Sequence, residues 1–310
     1  MTIFWSHLSA FLCKLPATLP EQLSRSNAFW VKIRTMNLSF TKHTTLIVYS
    51  LPLMLVYLSL SACNMVSYSD AARNLYAQGS NTPSAFIHKT LFTKGSEHKN
   101  LLTVFIEGDG IPWKTETRIS TEPTSPRPML LDMMRQYMGD SIYLGRPCYF
   151  KIEDPKCHYR YWTSHRYSTE VLDSMTTVIE EALSTGTYTT LALVGHSGGG
   201  TIASLIACHF KLPTRLVTLG ANLDVAAWTK HHKWTPLTSS LNPAEDTQPC
   251  ANVSERHLHG QDDQVVPVHL NSRYYQAHQL SPFVVEQQGH TKWNKHWPEI
   301  YQAILSNQTR

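Results

Sequence analysis

Apolar positions along this chain fall into short unbroken runs separated by longer stretches with helical spacing. Leu101-Leu102-Thr103-Val104-Phe105-Ile106 and Leu191-Ala192-Leu193-Val194 carry almost no polar break, the pattern of strands covered on both faces. Further strands are predicted at 85–92, 141–144, 215–219, 256–260 and 282–286. Between them, 168–183 places Val171, Leu172, Met175, Val178, Ile179 and Ala182 on one helical face, with Ser168 as its N-cap. Helices are also predicted at 129–137, from Gly198 through Ala207, at 224–231, 268–278 and 293–306. In the last, Trp293, Trp297, Ile300, Tyr301 and Ile304 form a core face. Strand and helix alternate, which predicts an α/β fold: a mainly parallel sheet with helices on both faces. Residues 148–167 are an aromatic and basic excursion, and 234–252 a loop rich in Pro, Ser and Thr.

The front of the chain has a different pattern. Residues 44–63 are strongly apolar and uncharged, and Lys32, Arg34 and Lys42 precede them. A cationic segment followed by an apolar one predicts an export signal. It ends in Leu60-Ser61-Ala62-Cys63, which resembles the lipobox of bacterial lipoproteins. That resemblance implies lipidation of Cys63, cleavage before it and a membrane anchor. Asn64 in the next position implies the outer membrane of a bacterial envelope, on its periplasmic or surface side. The alternative is an uncleaved signal-anchor helix, since a span needs about 20 apolar residues. Residues 1–62 are thus read as extension and signal, with Met36 a natural start for a signal of ordinary length. Residues 63–84 form a polar tether holding a short helix, and 85–310 form the folded domain.

Composition narrows the classes. A length of 310 residues with 42% hydrophobic content suits one large domain plus an export segment. The net charge of +4 comes with no dense basic run, so a nucleic-acid partner is not expected. Six cysteines suit an oxidising compartment. Besides Cys13 and Cys63, the short pair Cys148 and Cys157 is expected to form one disulfide, leaving Cys208 and Cys250 as the second by elimination; free thiols are the alternative. Sixteen histidines are many, and His231, His232, His257 and His259 are candidate metal ligands by type. No H-E-x-x-H or Cys-x-x-Cys spacing supports a metal, and none is expected.

The candidate chemistry lies where strands end. After the 191–194 run come Gly195-His196-Ser197-Gly198-Gly199, which fit the spacing G-x-S-x-G of a nucleophile elbow. Such a corner is too tight for side chains at its glycines and strains the serine, lifting the Ser197 hydroxyl clear. It also sets the Gly198 N–H at a helix N-terminus. A serine nucleophile needs a base, and the base an orienting carboxylate. Two later loops offer them: Gly260-Gln261-Asp262-Asp263-Gln264-Val265-Val266-Pro267, and Gln288-Gly289-His290.

These three motifs, in this order and each after a strand, resemble the α/β-hydrolase family from about Phe86 to Ser306. The resemblance implies Ser197 as nucleophile, His290 as general base and Asp263 as orienting acid. Asp263 is preferred to Asp262 because it stands at the spacing of G-x-x-D-x-x-V-P. In place of the His-Gly of many members, this chain has Glu107-Gly108-Asp109-Gly110. The oxyanion donors are then the N–H groups of Gly198 and Asp109, or of Ile111 if the register shifts. Both acidic side chains are expected to point away from the reacting oxygen and to hydrogen-bond within their loop. The interval from Gly220 to Asp263 leaves little room for a large cap domain, and 146–167 is a candidate lid or acyl-pocket wall, with a disulfide-pinned surface loop as the alternative. The implied activity is hydrolysis of a small-molecule or lipid-like carboxylic ester without a cofactor. An amidase or peptidase of the same fold and a non-enzymatic binding scaffold are the alternatives.

Overall fold

A computed structural model describes residues 76–79, 86–246 and 248–306. Every described residue lies in the unit spanning 68–310. Cys63, the signal in 1–62 and most of the tether lie outside the described residues. No helix among the described residues is long and apolar enough to cross a membrane.

The strands are β1 (Tyr76–Gly79), β2 (Ile87–Thr93), β3 (Leu101–Ile106), β4 (Trp113–Thr115), β5 (Arg118–Ile119), β6 (Ser141–Leu144), β7 (Thr190–His196), β8 (Thr214–Leu219), β9 (Val253–Gly260) and β10 (Phe283–Val285). Eight make one sheet in the order β1-β2-β6-β3-β7-β8-β9-β10, and β4 and β5 form a separate hairpin. From β6 to β10 every pairing is parallel, while β2 runs antiparallel to both β1 and β6. The helices are α1 (Met129–Met134), α2 (Thr169–Ser184), α3 (Gly198–Ile206), α4 (Val225–His231), α5 (Ser272–His278) and α6 (Trp297–Leu305).

Two cores explain the unbroken apolar runs. Along β3, Leu102, Val104 and Ile106 join one cluster with residues of α2 and α3, while Leu101 and Phe105 join the other with residues of α1 and α6. Along β7, Leu191 and Leu193 take the first face, and Ala192 and Val194 the second. Side chains alternate across a strand, so a sheet covered on both sides needs apolar residues at every position. Burying a Leu, Ile or Phe contributes about 1.5–3 kcal/mol, which makes β3 and β7 the anchor of the sheet. All six predicted apolar positions of α2 are buried. Ser168 stands at its N-cap position, but its hydroxyl makes no capping bond.

One sequence expectation is corrected and another is narrowed. Within the polar tether, Tyr76–Gly79 is a strand and not a helix, pairing from Tyr76↔Thr90 to Gly79↔Ile87. An edge strand is recruited by the open backbone donors and acceptors of its neighbour, so the apolar pattern carried no signal of it. The excursion 146–167, left open between a lid, a pocket wall and a disulfide-pinned loop, is packed and pinned. Tyr149, Tyr161, Trp162 and Tyr167 are buried within the first core, and the Cys148–Cys157 disulfide closes its start. The second disulfide joins Cys208 to Cys250. Among the described residues between β8 and β9 the chain holds α4 and one short 3-10 turn, Pro243–Glu245.

Candidate active site

The parallel strands deliver three loops to one end of the sheet. β7 ends at His196, and α3 begins at Gly198. Ser197 between them has φ 51° and ψ −123°, a conformation that L-residues avoid unless their surroundings impose it. Here the surroundings do so. A Cβ on Gly195 would meet the backbone of Gly199 and Gly200, and one on Gly199 would meet the carbonyl oxygens of Ile106 and Glu107. The corner therefore closes only with glycine at these positions.

Ser197, His290 and Asp263 meet at this corner. His290 Nε2 lies 3.0 Å from Ser197 Oγ, and His290 Nδ1 lies 2.8 Å from Asp263 Oδ2. A carboxylate only accepts, so Nδ1–H donates to Asp263 and Nε2 is left to accept the serine proton. Asp263 Oδ1 takes the N–H groups of Val265 at 2.9 Å and Val266 at 2.8 Å. Asp263 is buried. Burial pushes its pKa up, but the bond and charge of His290 and the two N–H donors outweigh it, and the net shift is downward. Gly220, with φ 54°, lies where a Cβ would sit 3.0 Å from Asp263 Oδ2 and 3.2 Å from His290 Nδ1. Asp262 is exposed.

His290 is tied through its backbone as well as its ring. Its carbonyl accepts from His196 Nε2 at 2.9 Å and from Trp293 Nε1 at 3.0 Å. Gln288 Nε2 donates to the carbonyls of Gly289 and Thr291, at 2.7 and 2.6 Å. Burial, with the neighbouring His290 ring, lowers the His196 pKa to about 4, so its ring is a neutral donor at neutral pH. Sequence reasoning missed His196 and Trp293. For His196 the available signal was a ring in the x position of G-x-S.

The loop after β3 departs from expectation. Asp109 is gripped from outside it, while Glu107 pairs both with the Gly108 N–H of the loop and with groups outside. Glu107 Oε1 accepts from Leu130 N–H at 2.6 Å, at the start of α1. Burial raises its pKa to about 8, offset in part by the N–H donors of Leu130 and Leu131. Asp109 Oδ1 is bonded to Arg146 Nη1, and Oδ2 to Arg166 Nη1 at 3.0 Å and to Tyr167 OH at 2.7 Å. Tyr149 OH donates to the Asp109 carbonyl at 3.0 Å. Burial opposes ionisation of Asp109, yet the two guanidiniums hold its carboxyl well below the usual range. Gly108 packs on the corner: a Cβ there would lie 3.1 Å from Ser197 Cβ. One on Gly198 would collide with Asp109 Oδ1, so the Asp109 side chain lies against the other predicted oxyanion residue. Ile111 lies further along, and its N–H is bonded to the Pro123 carbonyl at 2.7 Å.

The remaining histidine candidates have other partners. His257 bridges Thr218 Oγ1 at 2.8 Å and Glu255 at 2.9 Å, and His259 bonds Tyr275 OH. His231 and His232 lie in ring contact with each other near Trp228 and Trp234. Among the described residues no group of three or more His, Cys, Asp or Glu could hold a metal ion.

The sequence matches no protein-family model and no curated protein. The structure is similar to solved structures. An acylaminoacyl peptidase of Pyrococcus horikoshii matches with TM-score 0.51 and 14% identity, over 73% of this chain and 39% of that one. A puromycin hydrolase matches with TM-score 0.50 and 15% identity, over 74% of this chain and 37% of that one. An α/β serine hydrolase homologue of Coxiella burnetii matches with TM-score 0.45 and 12% identity, over 76% of this chain and 97% of that one. The fold is that of the α/β-hydrolases.

Proposed function

We propose that this chain is a serine hydrolase of carboxylic esters, working through an acyl-enzyme and tethered to a bacterial envelope membrane by a lipid on Cys63. One observation carries the hydrolytic reading: the continuous relay from Ser197 Oγ through His290 to Asp263, with spacings of 3.0 and 2.8 Å. Both fall within hydrogen-bond reach for proton transfer.

In this reading Ser197 Oγ attacks the ester carbonyl carbon while its proton passes to His290 Nε2. Asp263 stabilises the imidazolium without taking the proton. The carbonyl electron pair moves onto oxygen, which the N–H groups of Gly198 and Asp109 receive. Collapse expels the alkoxide, and His290 protonates it as it leaves. His290 then deprotonates a water, which adds to the acyl carbon. The second tetrahedral species releases the carboxylic acid and returns the proton to Ser197. An amide would need the same steps with a poorer leaving group.

A fluorophosphonate probe tests this account. Stoichiometric labelling of the full chain, lost in Ser197→Ala, is expected; a folded wild type left unlabelled overturns it. Turnover of p-nitrophenyl esters against anilides separates ester from amide cleavage, and the anilide arm is warranted because one fold neighbour is named a peptidase. For the anchor, metabolic labelling with an alkynyl fatty acid is expected in wild type and absent in Cys63→Ala. Labelling of both, or of neither, rejects it.

A further inference from the structure

The cluster around Asp109 is more than its loop needs for burial. Arg146 and Arg166 are 2% and 6% exposed, and together with Asp109 they leave one net positive charge inside the protein. Burying charge costs several kcal/mol per ion unless it is paired and hydrogen-bonded, so an excess cation here calls for a reason.

The cluster is built as a clamp. Both carboxylate oxygens of Asp109 and its carbonyl are held. Arg146 Nη2 donates to the Arg166 carbonyl at 2.8 Å, and Arg166 Nε donates to Thr163 O at 2.8 Å. The Arg146 guanidinium lies 5.1 Å from the Tyr149 ring centre and 5.6 Å from that of Tyr167, within cation–π range. Arg146 and Tyr149 straddle Cys148, whose disulfide to Cys157 closes the segment. The clamp meets the corner where Asp109 Oδ1 fills the space beside Gly198. A lone carboxylate there would oppose negative charge growing on a substrate oxygen. Two guanidiniums reverse the sign of the local field, and in a water-poor site such fixed charges act strongly.

We infer that Arg146, Arg166 and Tyr149 are positioning residues for the oxyanion-binding loop: they fix Asp109 so that its N–H serves beside that of Gly198, within a wall of net positive charge. This rests on the serine-hydrolase reading above.

The experiment uses the full chain with Arg146→Met, Arg146→Lys and Tyr149→Phe. Endpoint fluorophosphonate titration counts competent sites in each. Per competent site, Arg146→Met is expected to lower kcat toward p-nitrophenyl esters about 100-fold, the scale of one lost oxyanion donor, with KM within about threefold of wild type. Inhibition by an arylboronic acid, which forms a tetrahedral adduct on Ser197, should weaken by the same factor as kcat. Arg146→Lys recovers little, because an ammonium cannot reproduce the planar fork. Tyr149→Phe removes one hydrogen bond and keeps the ring; its kcat should fall about fivefold. A merely structural role would lower the number of competent sites and leave kcat per site and boronate affinity unchanged, and that result overturns the inference. If Arg146→Met does not fold, Tyr149→Phe decides alone by the same criterion. A wild type that neither takes the probe nor turns over ester refutes the hydrolase reading. A wild type that does both, with variants that match it, refutes only the clamp.

Discussion

Two aspartates flank the corner at Ser197, a half-buried one in the loop after β3 and a buried one in the loop after β9, and they are held in opposite ways. Asp263 has a single ring partner, His290, and two backbone N–H donors. Asp109 has two guanidiniums and two tyrosine hydroxyls, one of them on its carbonyl. Burial disfavours the charge on both, and both are nonetheless pulled to low pKa. The first is paired with an imidazole whose other nitrogen faces the Ser197 hydroxyl, so its surroundings change if that proton moves. The second is paired with cations that never let go of theirs, so its surroundings stay constant. A reacting site needs both kinds: a responsive pair where protons travel, and an unresponsive one where charge is only received.

The sharpest way to break this comparison is to remove the charge of Asp263 and, separately, one of the cations that hold Asp109. Asp263→Asn keeps the shape but lets His290 adopt the wrong tautomer, and kcat is expected to fall about 10⁴-fold with little change in melting temperature. Steady-state kinetics with calorimetry checks this, and the loss should exceed the roughly 100-fold expected for Arg146→Met. If the two losses are equal, the division between responsive and unresponsive carboxylates fails.

The two disulfides sharpen it next. In the chain-entropy model, bridging 9 and 42 residues contributes about 2.7 and about 4 kcal/mol respectively. Cys208→Ser with Cys250→Ser should therefore lower the melting temperature more while leaving kcat per site unchanged. Cys148→Ser with Cys157→Ser should cost less stability but lower kcat about five- to twelvefold, since one hydrogen bond's worth of positioning, about 1–1.5 kcal/mol, slackens. Parallel losses of both quantities in the two double variants would remove the link between the first disulfide and the clamp.

The smallest effect concerns Glu107, the third acid of the site. Its folded-state pKa is raised to about 8, so the folded state holds a proton that the unfolded chain releases above its ordinary value of 4.5. Stability linked to this group is full below that value and declines as pH rises toward 8. Asp109 and Asp263, with depressed values, act in the other direction: their contribution is present above the ordinary carboxylate range and is lost in acid. Glu107→Gln should flatten the neutral-side decline, raising the melting temperature at pH 8 by about 2–4 °C relative to wild type. Thermal scans from pH 5 to 8 measure it, and an unchanged slope would contradict the burial of this carboxyl.

Much of this arrangement was legible in the chain. β3 and β7 declared themselves because a strand covered on both faces must be apolar at every position, and the G-x-S-x-G corner because glycine is forced where backbone meets backbone. Asp263 and His290 followed from where strands end. What stayed hidden depends on pairing across distance. β1 is held through backbone groups of an edge, which leave no side-chain pattern. The short β4–β5 hairpin lies inside a loop marked only by its turn residues. The partners of Asp109 lie 37 and 57 positions away. Two arginines in an aromatic stretch resemble a surface loop until the carboxylate that draws them inward is located.

The tie between His196 and the His290 carbonyl has a wider meaning. The residue before Ser197 clasps the main chain of His290, spanning 94 positions of sequence. Ser197 and His290 thus share a second tie besides the bond between their side chains. A rearrangement of the late loop that moved the His290 carbonyl would therefore also break a bond to the corner.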